Sequence, residues 1–350
     1  MKFNNESLTI NKPSEFINLK DKINNNEILF FEFKNKLKIN YLKVYLLILL
    51  PILTLVLVIS ATFFIEKNFT QNFFSTMTIV IFLSIIIGLI FHHIQNIIHA
   101  AIHNNLHKNL KINDFIANIL GLFTASEINE VKKIHWKHHK FVGTYDDPES
   151  SYLYPLNVKK IIFYFLGVAM VKYALSYSKQ TSENVEKNFL NKILTLFTLH
   201  RTFSLIFHLA CLSFFYFYLQ SSVILASWIY AFFALLPFFN SMQNILEHAE
   251  TKEIRNSSNY KIKPVNRNFA SDFFSKYIYG NFGSNKHALH HWDPSIHYSS
   301  LDDVCNFLEQ SNFSETIISH KSSYFKALKK ILKKYLKKKN YHNWWIRFFN

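Results

Sequence analysis

The 350 residues include 17 histidines, and eight of them fall in three short clusters. The first is His99-Ala-Ala-Ile-His103, the second His135-Trp-Lys-His138-His139, the third His287-Ala-Leu-His290-His291. On a helix, side chains at i, i+3 and i+4 project from one face. Neutral imidazole is a good ligand for iron and its neighbours, so each stripe offers two or three nitrogens to a metal. Adjacent histidines point about 100° apart on a helix, so each His-His pair can serve two metals lying side by side. A lone HxxxH arises easily by chance; three clusters in one chain point to metal binding. His103 also makes an HxxxH with His107, so the first cluster can equally be read one turn later.

The elements that must hold these clusters are legible in the hydropathy. Hydrophobic residues make up 49% of the chain and gather in long runs, as in a membrane protein. Four runs, at about 41–65, 73–98, 202–219 and 223–239, are near the length of about 20 apolar residues that a spanning helix needs. The first has Pro51 as a candidate kink. The runs pair across two short links, which predicts two hairpins. A helix continuing from 73 to 107 would be about 50 Å long, more than the bilayer core of about 30 Å, so His99 and His103 would protrude. Residues 161–175 are apolar but carry Lys172, and read as an interfacial helix.

Charge orients this arrangement. The net charge is +16, yet the two short links contain only Lys67. By the positive-inside rule both termini and the central segment face the cytosol. A basic balance of this kind reads as a lysine-rich membrane face, not as a nucleic-acid surface. The expected class is therefore all-α: an integral membrane protein with four transmembrane helices in two hairpins and a cytosolic helical domain carrying the histidines. The domains are 1–40, a polar cytosolic tail; 41–300, the membrane domain; and 301–350, a basic amphipathic region. In that last region Phe325, Leu328, Leu332 and Tyr335 recur at helical spacing among lysines, which reads as a helix on anionic lipid with Trp344 and Trp345 as anchors. The N-terminus has no signal peptide of the usual form. Cys211 and Cys305 do not suggest a disulfide framework.

The order HxxxH, HxxHH, long hydrophobic hairpin, HxxHH resembles the membrane fatty acid desaturase superfamily over about residues 41–300. Two further stretches are similar to that family. Lys-Phe-Val-Gly-Thr-Tyr-Asp-Asp-Pro follows His139, and Trp-Asp-Pro with Ile296-His297-Tyr298 follows His291. After the fourth run, Asn244-Ile-Leu-Glu-His248 is similar to a region that supplies an extra ligand. The resemblance implies His99, His103, His135, His138, His139, His248, His287, His290 and His291 as metal ligands, with Asn244 acting through a water. The chain departs from the pattern at Ala100, where the family is often acidic. His92, His93 and His208, inside the runs, read as buried histidines bonded to neighbouring helices. His200, His320 and His342 read as surface residues.

The chemistry implied is oxidation. Removing hydrogen from an unactivated methylene is beyond acid–base side chains and needs an oxidant made from O₂ at a redox metal. The expectation is a site for two iron ions that desaturates a lipid acyl chain; a hydroxylase or ketolase on the same scaffold is the alternative, and a non-enzymatic membrane metal or haem protein a remote one. No NAD, flavin or iron–sulfur motif is evident, so a separate electron donor, a ferredoxin or cytochrome b5-like protein, is expected. No partner of nucleic-acid type is expected. The resemblance leans towards the bacterial or plastid-type acyl-lipid group. The membrane would be the bacterial inner membrane, or the endoplasmic reticulum in a eukaryote.

Overall fold

A computed structural model of the chain describes residues 27–69, 72–144, 146–153, 156, 158–168, 198–249, 266–270, 272–310 and 322–336. Among these residues all regular elements are helical, and an isolated parallel bridge joins Phe269 to Ser322. Helix α1 (Glu27–Lys36) is followed by α2 (Tyr41–Asn68), α3 (Phe73–Ile102), α4 (Leu110–Gly121), α5 (Ile128–Phe141) and α6 (Val158–Phe165). Helix α7 (Leu199–Ser213) runs on through a π-helical turn at Phe214–Tyr218. Helix α8 (Ser222–Tyr230), a π-helical turn at Ala231–Leu235 and α9 (Leu236–His248) are consecutive. A third π-helical turn, Phe274–Tyr279, precedes α10 (His287–Trp292), α11 (Leu301–Gln310) and α12 (Tyr324–Leu336).

Four helices are long and apolar enough to cross a membrane: Tyr41–Asn68, Phe73–Ile102, Leu199–Tyr218 and Ser222–His248. The second ends at Ile102, not near 98, and the fourth at His248, not near 239. Hydropathy falls at Asn240, Gln243 and Asn244, but the backbone stays helical because hydropathy does not decide where a helix stops. The expected interfacial helix at 161–175 begins within α6, which ends at Phe165; residues 169–175 lie outside the described residues, as do His320, His342, Trp344 and Trp345.

Short polar side chains start the long helices, satisfying backbone N–H groups that have no partner in the first turn. Asn40 accepts from the Lys43 N–H, Thr198 from Arg201 and Ser221 from Ile224. Asn72 and Ser75 form a reciprocal capping box on α3. Outward-facing Leu46, Leu49, Leu53 and Leu57 on α2, and Phe203, Ile206 and Leu209 on α7, are exposed, as suits a lipid-facing surface.

Helix α3 is the central post. Its Ile87, Phe91, Ile94, Ile97 and Ile98 are fully buried, and it packs on α2, α4, α5, α8 and α9. Gly88 permits this: a Cβ there would come within 2.7 Å of the Leu235 Cβ. Lipid tails are as apolar as leucine, so close packing and polar contacts, not hydrophobicity, hold such helices together. His92 Nδ1 meets Asn240 Oδ1 at 2.7 Å, and Ser227 donates to the Val80 carbonyl at 3.2 Å. Trp228 donates to His208 Nδ1 at 3.0 Å. Each such bond contributes roughly 0.6 kcal/mol in a membrane. His92 and His208 thus pair with neighbouring helices, as read from the sequence; His93 packs against Phe282.

The seam of α12 is not the one read from the sequence. Tyr324, Ala327 and Ile331 are buried against Met242, Ile245, Leu246 and Phe269, and Leu328 and Leu332 pack on the same cluster. The apolar side of this helix therefore faces protein, leaving Phe325, Lys326, Lys329, Lys330 and Lys333 exposed. At the other end of the chain, α1 packs Phe30 on Trp292 and pairs Lys34 with Asp293 at 2.5 Å.

Candidate metal centre

Helix α3 delivers His99 and His103 and ends there, because Asn104 takes a left-handed conformation (φ 58°) that asparagine tolerates better than most residues. The chain turns away, so His107 accepts from the Asn109 N–H at 2.8 Å and stacks on Tyr45. His107 lies outside the histidine groups, and the first cluster is His99 and His103. Helix α5 supplies His135, His138 and His139, and the end of α9 supplies His248. Helix α10 supplies His287, His290 and His291; Asn268 Oδ1 holds its start by accepting from the Ala288 and Leu289 N–H groups.

All nine histidines converge. His99, His103, His135 and His290 form one group, His138, His248, His287 and His291 another, and within each the candidate ligand atoms lie within 4.8 Å of one another. His139 stands between them: its Nε2 is 2.9 Å from His135 Nε2 and 3.2 Å from His290 Nε2, and its ring is 4.3 Å from that of His291. The adjacent pair His290 and His291 divides between the groups, as the angle between neighbours on a helix requires.

Three carboxylates stand behind the imidazoles. Asp147 takes the His138 Nδ1–H at 2.9 Å, and Tyr152 donates to the same carboxylate at 2.5 Å. Glu149 lies 3.3 Å from His135 Nδ1, and Glu247 lies 3.3 Å from His287 Nδ1. A carboxylate that accepts from Nδ1 fixes the ring and leaves the Nε2 lone pair facing a metal. Asn244 meets the carboxylates behind the imidazoles. It donates to Glu149 at 3.4 Å and accepts from Ser151 at 3.1 Å, which places it behind His135.

The donor set fits transition-metal ions. Imidazole nitrogens bind such an ion at about 2.1 Å, so two at right angles on one ion stand roughly 3 Å apart. The Nε2 atoms of His99 and His135 are 3.0 Å apart, and those of His248 and His287 are 2.8 Å apart. His103 and His291 have buried Nε2 atoms with no hydrogen-bond partner, an arrangement that a metal would satisfy. Burial first, and then neighbouring imidazoles, hold His103, His135, His139, His287, His290 and His291 well below the usual histidine range. They are neutral at pH 7, as ligation requires. Burial opposes charging His138, but Glu149 and Asp147 outweigh it and raise that residue.

Sequence reasoning missed the roles of Asp147, Glu149, Glu247 and Trp136. Two of these carried a signal: Asp147 lies in the Asp-Asp-Pro after the second cluster, and Glu247 directly precedes His248. Trp136, 48% exposed, places its ring 5.1 Å from His103 and 5.6 Å from His139.

The profile of the fatty acid desaturase family matches residues 75–312, about two thirds of the chain. That region takes in all nine histidines. Among curated proteins and among solved structures, none matches this chain. A profile match of that extent, over a chain whose long apolar helices end in two adjoining histidine groups, places it: this protein belongs to the fatty acid desaturase family.

Proposed function

We propose that this protein is a membrane-embedded, O₂-dependent di-iron desaturase that introduces a double bond into a lipid acyl chain. The observation that carries this reading is the pair of adjoining, nitrogen-rich histidine groups at the ends of helices long enough to cross a bilayer. His99, His103, His135, His139 and His290 would hold one iron; His138, His248, His287 and His291 would hold the other. Two bound irons supply the redox chemistry by which O₂ oxidises an unactivated methylene. The protein keeps the imidazoles neutral by burial, orients them through Asp147, Glu149 and Glu247, and shields them from bulk water.

The overall reaction removes two hydrogens from adjacent methylenes. With two electrons and two protons from outside, O₂ becomes two waters. The electrons come from a separate one-electron carrier, of ferredoxin or cytochrome b5 type, because the chain has no evident motif for binding a nicotinamide, a flavin or an iron–sulfur cluster. Lysine distribution supports a cytosolic position for both termini and the metal centre, whether at a bacterial inner membrane or at the endoplasmic reticulum.

The test is expression in a host of known lipid profile, with acyl chains resolved by mass spectrometry. New unsaturated chains, absent when His291 is replaced by alanine, are the expected result. A hydroxylated or keto product would replace desaturation with the alternative reaction; an unchanged profile in a host supplying reductant and iron would overturn the reading.

A further inference from the structure

We propose that Tyr324 is a positioning residue for the second histidine group, acting through Glu247 on His287; this rests on the metal reading above. Glu247 divides its two oxygens. Oε2 lies 3.3 Å from His287 Nδ1. Oε1 accepts from Gln243 Nε2 at 2.8 Å and from the Tyr324 hydroxyl at 3.1 Å. A carboxylate rotates about its terminal bond unless both oxygens are engaged. Gln243 lies one turn back on the same helix, α9, and moves with Glu247. Tyr324 comes from a different element, α12, and so fixes the carboxylate relative to the rest of the domain.

Tyr324 is itself held. Its ring is 2% exposed, stacks on Phe269 at 3.7 Å and meets Tyr279 edge-on at 4.9 Å. The strap carrying Phe269 also fixes the start of α10: the Phe269 N–H donates to the Asn285 carbonyl at 2.6 Å, and Asn268 caps the helix that begins with His287. The same strap grips the approach to α12, where the Ala270 N–H donates to Ser322 O at 3.2 Å. One structural unit thus controls His287 from two sides, its backbone through Asn268 and its ring through Tyr324 and Glu247. Packing alone would be served by phenylalanine, and a buried hydroxyl is unfavourable unless bonded; the bond it makes is to Glu247. Tyr324 lies beyond residues 75–312, which match the family profile, so the contact is contributed by the segment that follows the matched region.

The full-length chain in detergent, titrated with Co²⁺ as a spectroscopic probe against a competing chelator, tests this. The parent should bind two ions. Tyr324→Phe should weaken one site about tenfold, the low end of the range for outer partners of a metal ligand, and leave the other site and the thermal midpoint near the parent's. Glu247→Gln should weaken the same site at least as much, and the double variant should lose no more than Glu247→Gln alone. Glu247→Gln, which leaves Tyr324 in place, keeps the question answerable if Tyr324→Phe does not fold, because parental affinity at both sites in Glu247→Gln would also overturn the proposal. Tyr277→Phe, at an exposed tyrosine, should change nothing. Parental affinity at both sites in Tyr324→Phe, equal weakening of both, or full additivity in the double variant would overturn the proposal. A parent chain that binds no ion would overturn the metal reading itself, and this inference with it.

Discussion

The group of His138, His248, His287 and His291 is walled by two buried carboxylates, Asp147 and Glu247, each with a tyrosine behind it. The group of His99, His103, His135 and His290 has one oriented ring, His135, and its carboxylate Glu149 is 32% exposed. Buried His103 has no hydrogen-bond partner at either nitrogen, and it faces half-exposed Trp136. The residue type is the same; the surroundings differ. A walled group keeps fixed ligand directions, whereas an open one leaves room for a reactant and for water. The walled group should therefore hold its metal more tightly, and the open one should exchange more readily.

The largest effect comes from two neighbours in sequence. His290→Ala should empty the open group and His291→Ala the walled one, and both should abolish product. Metal analysis should find about one ion per chain in each, with the tighter ion surviving only in His290→Ala. Loss of the same ion in both variants would break the division into two groups.

A smaller effect is expected from the carboxylates. Asp147→Asn should lower metal affinity by about 10–100-fold at the walled group. Glu149→Gln should lower it less at the open group, since exposure screens that contact. Chelator competition measures both, and the reverse order would mean that burial of the carboxylate does not set the difference.

Acid sharpens the comparison in the metal-free protein. An unfolded histidine takes up a proton near pH 6.5, while His103, His135, His139, His287, His290 and His291 remain neutral when folded. Below pH 6.5 the unfolded state binds more protons, so stability falls as pH falls, by up to about 1.4 kcal/mol per pH unit for each such group. Well above pH 6.5 these six bind no proton in either state and add no slope, whereas His138, which its carboxylates raise, contributes stability that is lost as pH rises through its folded value. Thermal melts across pH should show this slope, and added metal should offset it. The smallest effect belongs to His107→Gln, which should leave metal content unchanged; loss of an ion there would restore the alternative reading of the first cluster.

The candidate ligands were legible because histidine is a favoured metal ligand and is uncommon enough for three clusters at helical spacing to stand out. The carboxylates were not, because aspartate and glutamate are common and their partners are remote: Glu149 serves His135 from beyond the end of α5, and Glu247 reaches His287 across 40 positions. Hydropathy found the four long helices but stopped the last of them at Asn240, since polar side chains end a greasy run without ending a helix. The seam of α12 was misplaced for a related reason. A periodic pattern shows that one side of a helix is covered, not whether lipid or protein covers it, and Tyr324 was a poor candidate for a buried position until its hydroxyl had Glu247 to meet.

The wide turn at Ala231–Leu235 has a consequence for how this chain lines up with others. A π-helical turn holds one residue more than an α-helical turn, and each residue of an α-helix advances the rotation by about 100°. Removing Ala234 would therefore let the rod relax into regular helix and leave Glu247 and His248 on the side they now occupy, whereas the same deletion in a rod without the wide turn would swing them off it by that angle. Where a relative has a regular helix here, the count from the Gly88-facing surface to its equivalent of His248 should be one short, and that one-residue gap would record geometry, not divergence.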